Sequence, residues 1–266
     1  MKNFLNIFMV VVLSLYFCVS CVSNSENIKE DKDKIKIGVT SVPHGKILEN
    51  LKNTFKMDFE IVNYVDYEAL NRDLVLNKIQ ANFFQTREYL DNFNRENNQN
   101  LVELAGVHLE PLIIYSSKYK SIDNVGGGSI VYIPNDKVNR NRALKLLENA
   151  SLITLVEDFN NGHSVMENPK NLIINEIPVN SIPAYYSESD LVVLNTNVAL
   201  ENSIFPHKDG IFYEKSFSDE SKVNVFVTRE DLKTSVELKD IARNLNSHDV
   251  FKFINSNYKG FVKPVF

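Results

Sequence analysis

The sequence is poor in cysteine: it contains two among 266 residues, Cys18 and Cys21, both near the amino terminus. The rest of the chain therefore has no thiol for a disulfide, for a metal–thiolate site or for a cysteine nucleophile. Whatever the folded part does must be carried by other side chains.

Common enzyme motifs are also missing. The chain has no Gly-x-Ser-x-Gly elbow and no zinc-binding helix motif, and Gly126-Gly127-Gly128 lacks the lysine and helix start of a phosphate-binding loop. The five histidines are spread widely along the sequence, which argues against a metal cluster. A metal-binding receptor that uses His44, His108 and Glu110 is the least favoured alternative. We therefore expect no catalytic residue, no metal and no cofactor.

Positive charge is scarce as well. The chain has 29 Lys and Arg against 34 Asp and Glu, a net charge of −5. Loss of residues 1–20, in which Lys2 is the only charged residue, would change this to −6. Nucleic-acid binding depends on cations that contact phosphates, so an acidic chain is not expected to bind nucleic acid.

Residues 1–20 have the pattern of a secretory signal peptide. Lys2 supplies a positive charge, and residues 4–17 are apolar with two exceptions. This run is shorter than the ~20 residues that a membrane-spanning helix prefers. A serine then precedes Cys21, an arrangement that resembles a bacterial lipobox. The resemblance implies cleavage before Cys21 and a lipid on that residue, and an uncleaved amino-terminal anchor is the alternative.

Residues 21–34 are predicted to be a flexible tether. They are polar and highly charged, with almost nothing to bury. A tether between a lipid and a folded domain keeps the domain close to a membrane partner.

From residue 35 onward, strand and helix patterns alternate, which predicts an α/β fold with two doubly wound lobes. Lobe 1 is predicted to contain residues 35–114 and 225–266, and lobe 2 residues 115–224. The chain crosses between them twice, first in one long apolar strand over residues 107–116 and again near 223–227. Two crossing strands predict a hinge.

The stretch 82–93 is the first candidate for a binding site. Strand-like alternation reaches Phe83 and helical spacing begins at Tyr89, so residues 85–88 are predicted to form a turn. Ligands of open α/β sheets collect at the carboxyl ends of strands. On residue type alone, Phe83 and Phe84 fit a hydrophobic core equally well.

Short motifs from Lys34 to Phe266 resemble those of NlpA-type lipoproteins, the solute-binding proteins of methionine-uptake ABC transporters. The matching motifs are Lys36-Ile37-Gly38-Val39-Thr40, Pro43-His44, Ala81-Asn82-Phe83-Phe84-Gln85, Tyr89-Leu90, Val107-His108-Leu109-Glu110-Pro111, Ile133-Pro134-Asn135-Asp136, Asn139, Arg142-Ala143-Leu144, Glu167-Asn168-Pro169-Lys170-Asn171-Leu172 and Asn195-Thr196-Asn197 with Ala199. The resemblance implies a two-lobed clamshell of the periplasmic-binding-protein type II class that holds a free amino acid, typically methionine, between its lobes.

The resemblance also implies the ligand contacts. Carried over residue by residue, they fall on Tyr67, Phe84, Tyr89, Arg142, Asn195 and Asn224. The guanidinium offers a bidentate fork to a carboxylate, the amides both donate and accept, and the rings form an apolar wall. On residue type alone, a surface role for Arg142, a turn at Asn195 and a core role for both tyrosines stay open.

Two departures from the family pattern leave the ligand's side chain open. Thr86, also counted as a site residue, stands where the family usually has histidine, and Val198 stands where tyrosine is common. The missing imidazole matters because a buried polar group of the ligand that is left unpaired costs ~1 to 3 kcal/mol. Methionine is the first expectation, followed by another apolar amino acid or a short peptide.

Three function classes follow. The favoured one is a monomeric, lipid-anchored receptor on the extracytoplasmic face of a membrane, whose partners are an ABC permease and its ATPase. The alternative is a surface lipoprotein or adhesin on the same fold that binds a short peptide or no small ligand. An enzyme is not expected.

Overall fold

The computed structural model describes residues 34–158, 162–215 and 219–266. Lys34–Phe266 forms one compact unit. The predicted signal peptide, Cys21 and all of the predicted tether except Lys34 lie outside the described residues. Within the described ranges, every helix is too short or too polar to cross a membrane.

Most of the strands form two mixed sheets. In chain order, the strands are β1 (Lys36–Val39), β2 (Glu60–Asn63), β3 (Ala81–Thr86), β4 (Leu101–Leu109), β5 (Leu112–Tyr115), β6 (Ile130–Pro134), β7 (Thr154–Asp158), β8 (Gly162–Glu167), β9 (Ile173–Ile177), β10 (Leu191–Asn195), β11 (Gly210–Tyr213), β12 (Val223–Arg229) and β13 (Lys263–Pro264). The first sheet has the order β13-β4-β12-β3-β1-β2, and the second has the order β11-β5-β10-β6-β9. Strands β7 and β8 pair only with each other.

Helices cover both sheets. They are α1 (Lys46–Phe55), α2 (Tyr67–Val75), α3 (Arg87–Asn97), α4 (Lys137–Asn149), α5 (Thr196–Glu201), α6 (Pro206–Asp209), α7 (Val236–Leu245) and α8 (His248–Tyr258). The segment Ser41–Gly45, in which Val42 has an extended backbone, precedes α1. Strand–helix alternation through both sheets confirms the predicted α/β class.

One face of the first sheet packs against α1, α7 and α8. Leu48 and Leu51 of α1, Leu245 of α7 and Ile254 of α8 are buried against strand residues such as Phe83. Their spacing places one apolar stripe of each helix on the sheet. Burial of each such side chain contributes roughly 1.5–3 kcal/mol.

The second sheet has its own core under α4. Ala143, Leu144 and Leu147 lie on one face of this helix and pack against Val131 and Val193 of the sheet. The helix is capped by Asp136, whose carboxylate accepts a hydrogen bond from the Asn139 N–H at 3.0 Å. This cap fixes where the helix starts, and therefore where its first turn lies relative to the sheet.

The first passage between the sheets differs from the prediction. A single strand over residues 107–116 was expected, but β4 ends at Leu109 in the first sheet and β5 begins at Leu112 in the second. Glu110 and Pro111 separate the two, since proline has no N–H to donate to a continuing ladder.

The second passage precedes β12. Val223 pairs with Leu109 and Asn224 pairs with Thr86, so the whole of β12 belongs to the first sheet. The predicted lobe boundaries at 114/115 and 224/225 thus fall inside β5 and β12. The division of the chain into lobes stays a prediction.

The β7–β8 hairpin was not predicted. Val156 is 50% exposed and Met166 is 67% exposed. Strand prediction relies on alternation between a buried apolar face and a polar face, and this hairpin exposes apolar residues instead.

Candidate ligand-binding site

A cavity lies between the two sheets, where β3 leads into α3 and β10 leads into α5. It contains about 380 Å³ of space between atoms, including the part open to solvent. All seven predicted site residues line it: Tyr67, Phe84, Thr86, Tyr89, Arg142, Asn195 and Asn224. The other lining residues are Gln85, Glu110, Pro111, Asn139, Thr196 and Asn197.

Three aromatic rings form one wall of the cavity. The ring centroids of Tyr67 and Phe84 are 5.5 Å apart, those of Phe84 and Tyr89 5.7 Å, and those of Tyr67 and Tyr89 6.2 Å. Two of these pairs are edge-to-face, a favourable arrangement for aromatic quadrupoles. The wall is therefore apolar and held in place by its own packing.

A bulge in β3 separates Phe83 from Phe84. On β12, Val225 pairs with Gln85 and Phe226 pairs with Phe83, so Phe84 is the extra residue. Phe83 is fully buried in the core of the first sheet, and Phe84, 4% exposed, lines the cavity. Phe83 therefore belongs to the hydrophobic core, and Phe84 belongs to the cavity wall.

The predicted turn over residues 85–88 is absent. Strand β3 continues to Thr86 and α3 begins at Arg87. The Thr86 hydroxyl accepts a hydrogen bond from the Tyr89 N–H at 3.2 Å and caps the helix. Such a cap contributes about 1 kcal/mol, so this departure from the family pattern has a structural role as well as a place in the cavity wall.

A buried amide cluster supports this wall from behind. The Asn71 side chain donates to Gln85 Oε1 at 2.8 Å, Asn82 Nδ2 donates to Asn71 Oδ1 at 2.8 Å, and Gln85 Nε2 donates to Asn82 Oδ1 at 3.0 Å. Because these amides form hydrogen bonds with one another, they hold β3 against α2 with little cost from unpaired buried polar atoms.

Arg142 is buried but is not a free bidentate fork, as the sequence analysis assumed. Its Nε and Nη2 donate to the two carboxylate oxygens of Glu214 at 3.1 and 2.6 Å. That edge of the guanidinium is occupied. Among the described residues, Nη1 has one weak contact, 3.5 Å to Asn139 Oδ1, and is the donor left for the cavity.

Glu214 is charged despite its burial. Burial alone would raise its pKa, but the Arg142 charge and the hydrogen bonds from Arg142 and from the Leu112 N–H hold the pKa below its usual value. The pair therefore gives Arg142 a fixed orientation and partly neutralises it.

Two amides of the cavity carry unpaired atoms. Asn195 Nδ2 donates to Asn139 Oδ1 at 2.8 Å. Within the described part of the chain, Asn195 Oδ1 and Asn197 Nδ2 are buried without a hydrogen-bond partner. An unsatisfied buried polar group costs about 1–3 kcal/mol. A ligand that supplies one donor and one acceptor would remove this cost.

Asn197 also joins the two sides of the cavity. The Tyr67 hydroxyl donates to Asn197 Oδ1 at 2.8 Å, and the Asn197 N–H donates to Glu110 Oε2 at 3.0 Å. Burial raises the pKa of Tyr67 well above its usual value, so the hydroxyl keeps its proton.

Behind Asn224 lies a buried cluster of His44, His108 and Glu110. Their ligand-type atoms all lie within 4.8 Å of one another, so the argument from sequence separation against a cluster was wrong for these two histidines. Two imidazoles and a carboxylate are a donor set that transition metals accept. Here His108 Nε2 is 2.7 Å from Glu110 Oε1 and His44 Nε2 is 3.0 Å from Asn224 Oδ1, whereas His108 Nδ1 is buried without a hydrogen-bond partner among the described residues.

Burial keeps both imidazoles of this cluster neutral. It lowers the pKa of His44 to about 4 and the pKa of His108 to about 3. It raises the pKa of Glu110.

Residues 35–266 match the family model described as NlpA lipoprotein. This chain belongs to the NlpA lipoprotein family. The D-methionine-binding lipoprotein MetQ of Escherichia coli K12 is 34% identical to this NlpA lipoprotein over 241 residues, which cover 87% of this chain and 88% of MetQ.

Solved structures of related proteins have the same fold. A nutrient-binding protein from Burkholderia cenocepacia bound to methionine superposes with a TM-score of 0.81 at 28% identity, covering 87% of this chain and 100% of that one. An ABC transporter periplasmic substrate-binding protein from Coxiella burnetii gives 0.80 at 26% identity, with the same coverages. The predicted periplasmic-binding-protein fold is confirmed.

The sequence analysis missed two residues of the cavity wall, Asn139 and Asn197, and Glu214, the ion-pair partner of Arg142. Asn139 and Asn197 belong to motifs that carried the family resemblance, so a signal for them was present. Glu214 is 72 residues from Arg142, and nothing in the sequence pairs the two.

Proposed function

We propose that this NlpA lipoprotein is a lipid-anchored, extracytoplasmic solute-binding protein that captures a free amino acid and delivers it to an ABC importer. Methionine is the favoured ligand. The observation that carries the proposal is a cavity between two sheets with a guanidinium and unpaired amide atoms beside a wall of three aromatic rings. The methionine-binding relatives support the same ligand.

The cavity chemistry suits a zwitterion. The carboxylate would accept from Arg142 Nη1 and from the free Asn197 amide, and the ammonium would donate to Asn195 Oδ1. A thioether side chain would then face the rings of Phe84 and Tyr89, since sulfur makes favourable contacts with aromatic edges.

Ligand contacts from both sheets explain how ligand binding would favour one arrangement of the two sides of the cavity. Phe84 and Asn224 belong to the first sheet, whereas Asn195 belongs to the second and Arg142 to the helix that covers it. A ligand that touches both sides stabilises the arrangement in which they are close, by its differential affinity for that arrangement.

This state would dock on a membrane permease driven by an ATPase, with the protein acting as a monomer. A lipid on Cys21 would hold it at the extracytoplasmic face of the membrane. The related protein from Coxiella burnetii, an ABC transporter periplasmic substrate-binding protein, supports this role.

Of the two departures that favoured the adhesin alternative, Thr86 and Val198, one lies away from the cavity. Val198 is 4% exposed and packs in a hydrophobic core, and among the described residues it is not part of the cavity wall. Thr86 does line the cavity, but it is one change in a wall that keeps every other predicted residue.

Titration calorimetry and thermal denaturation with L-methionine test the proposal. We expect saturable heat, one ligand per chain and a higher Tm. Asn195→Ala should weaken binding about tenfold or more, because it removes the acceptor for the ammonium. Asn255→Ala, an exposed site on α8, is the matched control and should bind normally. No heat with any amino acid would support the adhesin, and consumption of the ligand would indicate an enzyme.

A further inference from the structure

The side chain of Asn224 could present either its oxygen or its NH₂ group to the cavity. Asn224 is buried, lies on β12 and lines the cavity. An amide that turns its oxygen to the ligand favours an ammonium or a carboxamide, whereas one that turns its NH₂ group favours a carboxylate. What lies behind Asn224 decides between them.

The group behind Asn224 is a tightly held imidazole. His44 Nε2 lies 3.0 Å from Asn224 Oδ1, and His44 Nδ1 lies 2.6 Å from Thr40 Oγ1. His44 is fully buried, and its ring meets Phe83 edge-on at a centroid distance of 4.7 Å. The ring is thus held at both nitrogens and by its contact with Phe83.

The hydrogen-bond partners of His44 indicate which nitrogen carries the proton. Nε2 faces Asn224 Oδ1, an amide oxygen that can only accept, so this contact is a hydrogen bond when Nε2 carries the proton. The neutral ring then accepts at Nδ1, where the Thr40 hydroxyl can donate.

The backbone around Asn224 is shaped for this contact. Opposite β12, the pairing with β4 shifts between Asn224, which faces His108, and Val225, which faces Gly106. A second shift, against β3, follows between Val225 and Phe226. Bulges of this kind re-aim side chains next to functional sites.

We propose that His44 is a positioning residue for ligand recognition: its Nε2–H donates to Asn224 Oδ1 and so turns the Asn224 NH₂ group toward the cavity, where it donates to the ligand's carboxylate. The inference rests on the proposed function and explains part of the selectivity of the cavity for its ligand. Together with Arg142 Nη1, the Asn224 amide makes the cavity select a carboxylate over a carboxamide.

Two variants at position 44 separate positioning from packing. His44→Leu removes the donor and lets the Asn224 amide rotate, whereas Gln in His44→Gln retains an N–H in reach of the same oxygen. Binding of L-methionine and of L-methioninamide is measured for each by calorimetry. We expect the affinity ratio of acid over amide to fall about tenfold in His44→Leu and to stay within about threefold of the unaltered chain in His44→Gln. Equal ratios in both variants would overturn the proposal.

The tautomer gives an independent test that requires no substitution. In the full-length chain labelled with ¹⁵N-histidine, nitrogen chemical shifts identify which ring nitrogen of His44 carries the proton. An Nε2–H signal is expected, and an Nδ1–H signal overturns the inference even if methionine binds. Failure of the unaltered chain to bind any amino acid would instead overturn the proposed function, so the two failures are distinct.

Discussion

The ion pair of Arg142 and Glu214 allows the binding role of the arginine to be separated from its structural role. Their side chains are 5% and 14% exposed, and two hydrogen bonds join them. Removal of one partner of a buried pair costs about 3–5 kcal/mol, because the other charge is left uncompensated. For a domain of this size that corresponds to a Tm lower by roughly 6–20 °C.

The same substitution should weaken ligand binding. Arg142→Ala removes the only guanidinium among the described residues that line the cavity. Truncation of one partner of a buried charge pair costs about 2–5 kcal/mol of affinity, which is roughly 30-fold to several thousand-fold. A single variant cannot tell whether this loss comes from the missing contact or from a disturbed fold.

A second substitution distinguishes the two causes. In Arg142→Ala/Glu214→Gln the remaining buried group is neutral, so we expect about 2 kcal/mol or more of the stability to return. Methionine binding should not return, because the cation is still absent. Glu214→Gln alone keeps the cation and should bind methionine within about tenfold of the unaltered chain. Chemical denaturation and titration calorimetry on all four proteins give the full cycle.

One result would refute this reasoning. If the double variant regains both stability and methionine affinity, Arg142 acts only by neutralising Glu214, and the ligand's carboxylate is held elsewhere.

Three further predictions follow from other features. Thr86→Ala should lower the free energy of unfolding by about 1 kcal/mol through loss of the α3 cap, whereas Thr86→Ser should keep it; equal denaturation curves would show that the cap contributes nothing. Because burial lowers the pKa of His44 from 6.5 to about 4, the unfolded chain binds more protons between these pH values and acidification destabilises the fold. From pH 7 to pH 5, His44→Gln should lose about 2 kcal/mol less stability than the unaltered chain; parallel losses would contradict a neutral buried His44. Finally, mass spectrometry of the amino-terminal peptide should find Cys21 as the first residue carrying a lipid, and an unmodified Cys21 or an intact residue 1–20 segment would contradict lipid attachment there.

Local patterns predicted those parts of the site that depend on local structure. The change from strand alternation to helical spacing placed the junction of β3 and α3 within residues 85–88, and the structure has it at Thr86 and Arg87, without the predicted turn. The bulge that turns Phe84 away from Phe83 depends on pairing with β12, more than 130 residues later in the chain. Alternation alone could not have revealed it.

Contacts set by the fold were the ones that sequence patterns missed. His44 meets the region of His108 and Glu110 because β1 and β4 belong to the same sheet. The passage between sheets at Glu110–Pro111 was hidden because residues 107–116 form a nearly continuous apolar run, which reads as one strand. The resemblance to NlpA-type lipoproteins supplied the site residues, but not the partners that orient them.

The central claim, that a free amino acid is held between the two sheets, is tested most directly by mass spectrometry of the protein as purified. The full-length chain is isolated without added ligand, analysed under native conditions and then denatured to release what it carries. We expect a mass increment of one methionine per chain, lost in Arg142→Ala/Glu214→Gln. Protein that is free of any amino acid, and that takes up none when methionine is supplied, would contradict the account.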